Sequence, residues 1–255
     1  MKQKSCQQEL EMIACSNHDE IMAYIGEYPL WSDAEVALVN RGHHEEIMAY
    51  IKKFVFDKEA EIALIKRGNH DEIMAYITKY PLKGAEIDLI ERGNHEEIMA
   101  YISEYRLWGD TEPVFIKRGN HDEITAYINE NCFFEKGEVA LIKRGNHDEI
   151  MAYIAEHSFD ADAQKALVKR GNHEEILVYI AKHSFDAGAQ KALIERGNHD
   201  EIMAYIAEHR IFPSVKQALI KRGNDEEIEA NDAKEFCNGL SESSGLSLGF
   251  HALPF

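Results

Sequence analysis

Apolar and polar positions along this chain follow a helical period set inside a longer one. From His147 to about His157 the apolar residues Ile150, Met151, Tyr153 and Ile154 cover most of a helix circumference. They leave a strip at Asp148, Glu149, Ala152, Ala155 and Glu156. A helix that apolar has to be covered on more than one side. After a short Ser-Phe-Asp turn, Ala163, Ala166 and Leu167 fall at i, i+3 and i+4 with Val168 beside them, predicting a second helix from about Asp162 to Arg170. Its small alanines let neighbouring helices approach closely. Start and stop signals fit both helices. Gly145 follows a Lys-Arg pair, so cations occupy a last helical turn before a residue that tolerates a left-handed backbone. Asn146 then suits an N-cap. Asp148 and Glu149 enter the first turn, where the helix dipole favours anions, and Glu149 lies three residues past the cap, as in a capping box.

This pattern recurs. The string RGNHDEIMAYI begins at Arg67, Arg144 and Arg196, with close variants at Arg41, Arg92, Arg118 and Arg170. A first copy without the Arg-Gly runs from Asn17 to Ile25. The marker histidines are His18, His44, His70, His95, His121, His147, His173 and His199, spaced by 26 residues except for one step of 25. A ninth copy starting at Arg222 has Asp225 in the histidine position, and Glu229 and Asn231 where the others carry Met and Tyr. No single copy buries its apolar surface alone, whereas stacked copies cover one another. The expected fold is therefore all-α, an α-solenoid of eight to nine 26-residue helix-turn-helix repeats. An N-terminal cap is expected over residues 1–14, with a partial helix from Lys2 to Glu11. The array is expected over 15–230, with the degenerate ninth copy closing it through a polar outer face. A disordered or irregular tail is expected over 231–255, where SESSGLSLGFHALPF is rich in Ser and Gly.

The string Ala166 to His183, ALVKRGNHEEILVYIAKH, resembles the helix pair of an ankyrin repeat, in which an A-x-x-G-H type turn precedes an E-I-V-x-x-L-L helix. The resemblance covers most of the array. The T-P-L-H opening is missing from every copy, and a 26-residue unit has no room for the full β-hairpin. The resemblance implies protein–protein binding on a concave face.

Charge narrows the function further. There are 28 Lys+Arg against 46 Asp+Glu, a net charge of −18, which argues against direct contact with nucleic-acid phosphates or an anionic membrane. The longest apolar runs are six residues, such as Ile150 to Ala155, against the ~20 that a membrane-spanning helix needs. The N-terminus shows no apolar secretory core. Cys6, Cys15, Cys132 and Cys237 are scattered and form no CxxC, so they read as reduced thiols and point to the cytoplasm.

The residues that could carry chemistry have plainer readings. Each repeat brings one marker histidine, and Zn²⁺ needs several ligands within ~2.0–2.3 Å, so a rung of this ladder cannot close a site. No metal or cofactor is expected. The histidines are expected at N1, kept neutral by the positive helix end and packing or hydrogen-bonding between repeats. The His43-His44 doublet occurs in one copy and adds little. His157, His183 and His209 share a position with Tyr28, Phe54, Tyr80, Tyr105 and Asn131, which favours packing. The paired carboxylates recur in every unit, whereas an active site is one constellation. With no nucleophile–base arrangement and no phosphate-binding glycine motif, an enzyme is not expected.

The informative positions are those where the copies disagree. One holds Trp31, Asp57, Lys83, Trp108, Phe134, Asp160, Asp186 and Phe212, and a position that accepts Trp, Asp and Lys is not buried. Trp31, Trp108, Phe134 and Phe212 are the candidate partner-binding residues, since aromatics are enriched at binding hot spots. The preceding position (Leu30, Phe56, Leu82, Leu107, Phe133, Phe159, Phe185, Ile211) is always apolar and belongs to the core. The leading expectation is a non-enzymatic scaffold for a protein or peptide partner of basic character. The alternative is an acidic nucleic-acid mimic that occupies a DNA- or RNA-binding protein. Carboxylates evenly spaced on one face would favour the mimic, and carboxylates paired with Lys or Arg the scaffold.

Overall fold

The structure, a computed structural model, describes residues 3–243, with side chains described through Phe236. Every regular element among these residues is a helix, and the helices alternate in two series. The first series opens each repeat: α2 (His18–Ile25), α4 (His44–Ile51), α6 (His70–Ile77), α8 (His95–Glu104), α10 (His121–Glu130), α12 (His147–Glu156), α14 (His173–Lys182), α16 (His199–Glu208) and α18 (Asp225–Ser243). The second series is α1 (Cys6–Cys15), α3 (Ser32–Arg41), α5 (Lys58–Arg67), α7 (Glu86–Arg92), α9 (Glu112–Arg118), α11 (Glu135–Arg144), α13 (Ala161–Arg170), α15 (Ala187–Arg196) and α17 (Pro213–Arg222).

The junction between repeats is built as its residues dictate. Gly145 has φ +77°, a left-handed conformation in which a Cβ would be strained, and its counterparts from Gly42 to Gly223 share it. The next residue caps the following helix. Asn146 Oδ1 accepts the Glu149 amide at 3.2 Å, and the same bond recurs at Asn17, Asn69, Asn94, Asn120, Asn172, Asn198 and Asn224. Such a cap is worth about 1 kcal/mol per helix.

The chain divides into two compact units, residues 1–137 and 138–255, with the division falling inside α11. In the first unit α2, α4, α6, α8 and α10 pack side by side in one row, and α1, α3, α5, α7 and α9 in a second. The second unit is built the same way, with α12, α14, α16 and α18 in one row and α13, α15 and α17 in the other. Each unit is thus an α-solenoid stack whose members touch mainly the like helix of the next repeat. The core lies between the rows. Ile150, Tyr153 and Ile154 and their equivalents are buried in every copy, while Met151 is half-buried. The apolar position before the variable one, from Leu30 to Ile211, is buried throughout. Between His70 and His95, where the step is 25 residues, the shortening falls at the turn ahead of α7, itself only seven residues long.

The ends differ from expectation in instructive ways. The first helix starts at Cys6 and runs to Cys15, opened by a Ser5–Gln8 capping box, and it packs on α3 as a full member of the second row. Lys2 lies outside the described residues. At the other end α18 runs 19 residues to Ser243, so helix occupies 231–243, where an irregular tail was expected. The tail from 244 onward lies outside the described residues. Glu229 is exposed as a closing face requires, but Asn231 is 3% exposed and sits in the interior, its Nδ2 donating to Glu235 Oε1 at 3.2 Å. Among the described residues no helix is long and apolar enough to cross a membrane.

Candidate functional site

Two polar ladders run through each unit, and together they fix where the variable side chains stand. The first uses every polar residue of the Arg-Gly-Asn-His-x-Glu string. Glu72, the third residue of α6, is fully buried rather than lying on a solvated strip. Its Oε2 accepts from Arg67 Nε of its own junction at 3.0 Å, and its Oε1 meets His44 Nδ1 of the preceding repeat at 3.0 Å. Arg67 Nη2 in turn donates to the carbonyl of Gly42, one repeat back, at 2.8 Å. The same clamp forms at Arg92, Glu97 and His70, at Arg170, Glu175 and His147, at Arg196, Glu201 and His173, and at Arg222, Glu227 and His199. Helix-end charge therefore accounts for only part of these glutamates, because each also joins two repeats. The histidines do bond between repeats, as expected. The hydrogen bond to Glu97 raises the His70 pKa and the bond to Glu227 raises that of His199. The buried carboxylate outweighs the helix N-terminus.

The second ladder was invisible to hydrophobic patterning. Tyr50 is fully buried, and its hydroxyl donates to Glu35 Oε1 at 2.7 Å while accepting the Leu30 amide at 3.1 Å. Glu35 Oε2 accepts the Asp57 amide at 2.7 Å. In the first unit the same chain links Tyr76 to Glu61, Tyr101 to Glu86 and Tyr127 to Glu112. Glu9 of α1 serves Tyr24 and the Trp31 amide likewise. In the second unit Tyr153 pairs with Glu138, and Gln164 and Gln190 take the glutamate position. Burial pushes the Glu35 carboxyl up to about 7 and also raises Glu61 and Glu86. Burial likewise raises the tyrosines, Tyr179 to about 12, which keeps them protonated as donors.

The variable position is where this ladder ends. Trp31, Asp57, Lys83, Trp108, Phe134, Asp160, Asp186 and Phe212 each donate their backbone amide to the buried Glu or Gln at 2.7–3.0 Å. Their backbone is fixed, and the aromatic side chains among them face solvent. Trp108 is 68% exposed and Trp31 53%, with Phe134 and Phe212 close to half exposed. In the first unit Trp108 and Phe134 stand on adjacent repeats. The Arg106 guanidinium lies 3.9 Å from the centre of the Phe134 ring, and Gly109 lets that ring come close. Ile87, also exposed, joins Trp108, Lys83 and Thr111 around a hollow of about 330 Å³. Ile87 escaped sequence reading because its position in α7 is a helix face, not a turn. Trp31 stands apart on the first repeat, with the Asp57 and Lys83 repeats between it and Trp108. In the second unit Phe212 lies over a larger hollow of about 740 Å³, with Phe185, Gln190, Tyr205, Ile211 and Pro213.

The chain matches no family model, no curated protein and no solved structure. Its reading rests on this geometry. The buried glutamates had a signal in the sequence: Glu9, Glu35, Glu61, Glu86, Glu112, Glu138, Gln164 and Gln190 recur at the spacing of the histidines.

Proposed function

We propose that the chain is a non-enzymatic, ankyrin-like interaction scaffold that takes a protein or peptide partner of basic character. The observation that carries this reading is the pairing of a fixed backbone with a solvent-exposed aromatic side chain at the variable position. The amide of every variable residue is tied to a buried Glu or Gln, and at Leu30 and Leu107 the preceding amide is tied to a buried tyrosine as well, so the aromatics project from a fixed backbone. Little conformational freedom is left to lose on binding, which favours affinity. Exposed Trp108, Ile87 and Phe134 supply apolar anchors in the first unit, and Phe212 in the second. The net charge of −18 fits a basic partner. The mimic reading is less well supported. Fourteen of the glutamates among the described residues are buried, and those of the Arg-Gly-Asn-His-x-Glu string are paired with Arg and His. These carboxylates offer no phosphate-like array to a nucleic-acid-binding protein.

Aspartate in place of Trp31, Trp108, Phe134 and Phe212 tests the proposal, because Asp57, Asp160 and Asp186 already occupy the position elsewhere. The quadruple variant is expected to keep its helical signal and to lose little stability. A partner captured by the wild-type chain from its host is expected to dissociate from the variant, since each buried aromatic anchor can be worth ~2 kcal/mol or more. Loss of folding would show that these rings are structural. Unchanged affinity in a folded variant would remove them from the interface.

A further inference from the structure

One repeat junction departs from the others in two ways, and both departures bring ligands to the same point. The first is the cap. At the start of α4 the N-cap is His43, which makes no side-chain bond to the helix, where the other copies use Asn to hold the third amide. The stabilising Asn cap is given up here, which leaves this side chain available for another task. The second departure is the carboxylate. In the neighbouring copies the outer oxygen of the buried glutamate accepts from the arginine Nε, at 3.0 Å for Arg67 and Glu72 and 2.9 Å for Arg92 and Glu97. Arg41 turns its terminal nitrogens to the carbonyls of Ile13 and Ser16. Its Nε lies 3.3 Å from Glu46 Oε2 without the alignment of a hydrogen bond. Glu46 is fully buried, and its Oε2 has no hydrogen-bond partner.

His18 completes the set. Its Nδ1 is 3.0 Å from Glu46 Oε1, and its ring centre is 6.2 Å from that of His43. One ligand atom each from His18, His43 and Glu46 lies within 4.8 Å of the other two. Ligands around a tetrahedral ion at about 2.0–2.1 Å are roughly 3.3 Å apart, so the His18–Glu46 pair is already at ligand spacing. Rotation of the exposed His43 ring closes the third contact.

We propose that His18, His43 and Glu46 form a binding site for a single divalent ion of the Zn²⁺ type. Two imidazole nitrogens and one carboxylate oxygen suit that class better than Ca²⁺ or Mg²⁺, which prefer all-oxygen shells. The ion takes the place of the proton shared by His18 and Glu46, so the buried carboxylate stays compensated. The fourth position opens to water on the His43 side. Arg41 and two helix N-termini lie nearby and oppose added positive charge, which weakens the binding. The other rungs lack the site because Asn replaces His43 and the arginine occupies the outer carboxylate oxygen.

The test uses the full chain, stripped of metal, titrated with Co²⁺ and with Zn²⁺ at pH 7.5. One equivalent of Co²⁺ is expected to give visible bands of a four-coordinate ion, and Zn²⁺ to displace it and raise Tm. His43→Asn restores the cap found in the other copies, and His43→Ser supplies an alternative cap. Both are expected to keep the metal-free Tm at or above that of the wild type, while binding Co²⁺ at least 100-fold more weakly. Absence of saturable binding, or binding that survives both variants, would overturn the proposal. The second result would assign the ion to exposed pairs such as His70 and Glu96.

Discussion

Glu72→Ala is expected to cost about 3 kcal/mol in urea denaturation, the lower end of what breaking a buried ion pair costs. The substitution removes an acceptor shared by Arg67 and His44, both at 3.0 Å, and leaves two donors facing each other across a void. Their side chains are 28% and 48% exposed, so water rehydrates them in part, which keeps the loss at that lower end. Glu72→Gln should cost less, because it keeps one acceptor oxygen. Alanine at Lys136, whose ion pair with Asp110 is almost wholly in solvent, should leave the unfolding midpoint unchanged. If Glu72→Ala lost no more than such a surface variant, the clamp would not be what joins the repeats.

Stability should rise as the pH falls from 8.5 to 6. Burial holds the Glu35 carboxyl at about 7 and raises Glu61 and Glu86, and hydrogen bonds to Glu97 and Glu227 raise His70 and His199. Each of these groups binds its proton more tightly in the folded chain than in the unfolded one. The stability they add is complete below the unfolded pKa, 4.5 for the glutamates and 6.5 for the histidines, and is lost as the pH rises through the folded values. For the Glu35 carboxyl, held at about 7, each pKa unit is worth about 1.4 kcal/mol, and each kcal/mol moves Tm by roughly 2–4 °C in a domain of this size. A Tm about 5 °C higher at pH 6 than at pH 8.5 is therefore expected. The chain supplies its own control, since Gln164 and Gln190 already fill this position with their amides paired. Glu35→Gln, Glu61→Gln and Glu86→Gln together should raise Tm at pH 8.5 and flatten the slope. A Tm that climbs with pH across this interval, or a triple variant less stable at pH 8.5, would mean that these carboxylates are ionised and well compensated.

The helices, their caps and the glycine stops were legible in the sequence because each depends on residues within one turn of the chain. The exposure of Trp108 and Phe134 was legible as well, because the repeats act as natural substitutions of one another. The two polar ladders were not. Glu72 reads as a first-turn anion until its histidine partner, 28 residues away, is brought beside it by stacking. Tyr50 reads as apolar mass until Glu35, on the other row, reaches its hydroxyl. Helical period reports which side chains face inward but carries no information on which inward-facing polar atoms meet. The partners of the marker histidines were hidden for the same reason, since the buried carboxylate that meets each one comes from the next repeat.

The one irregular step of the array shows what sets its phase. Although the chain is a residue short between His70 and His95, the His70–Glu97 and Arg92–Glu97 distances stay at 3.0 and 2.9 Å. The deficit is absorbed at the turn ahead of α7. Tolerance to insertion and deletion should therefore oscillate along the gene, high at the turns that follow each first-row helix and low across each Arg-to-Glu junction. Duplications that begin and end at the same phase preserve every clamp, so the number of repeats can drift while the junctions stay intact, with each new copy free to diverge at its exposed variable position.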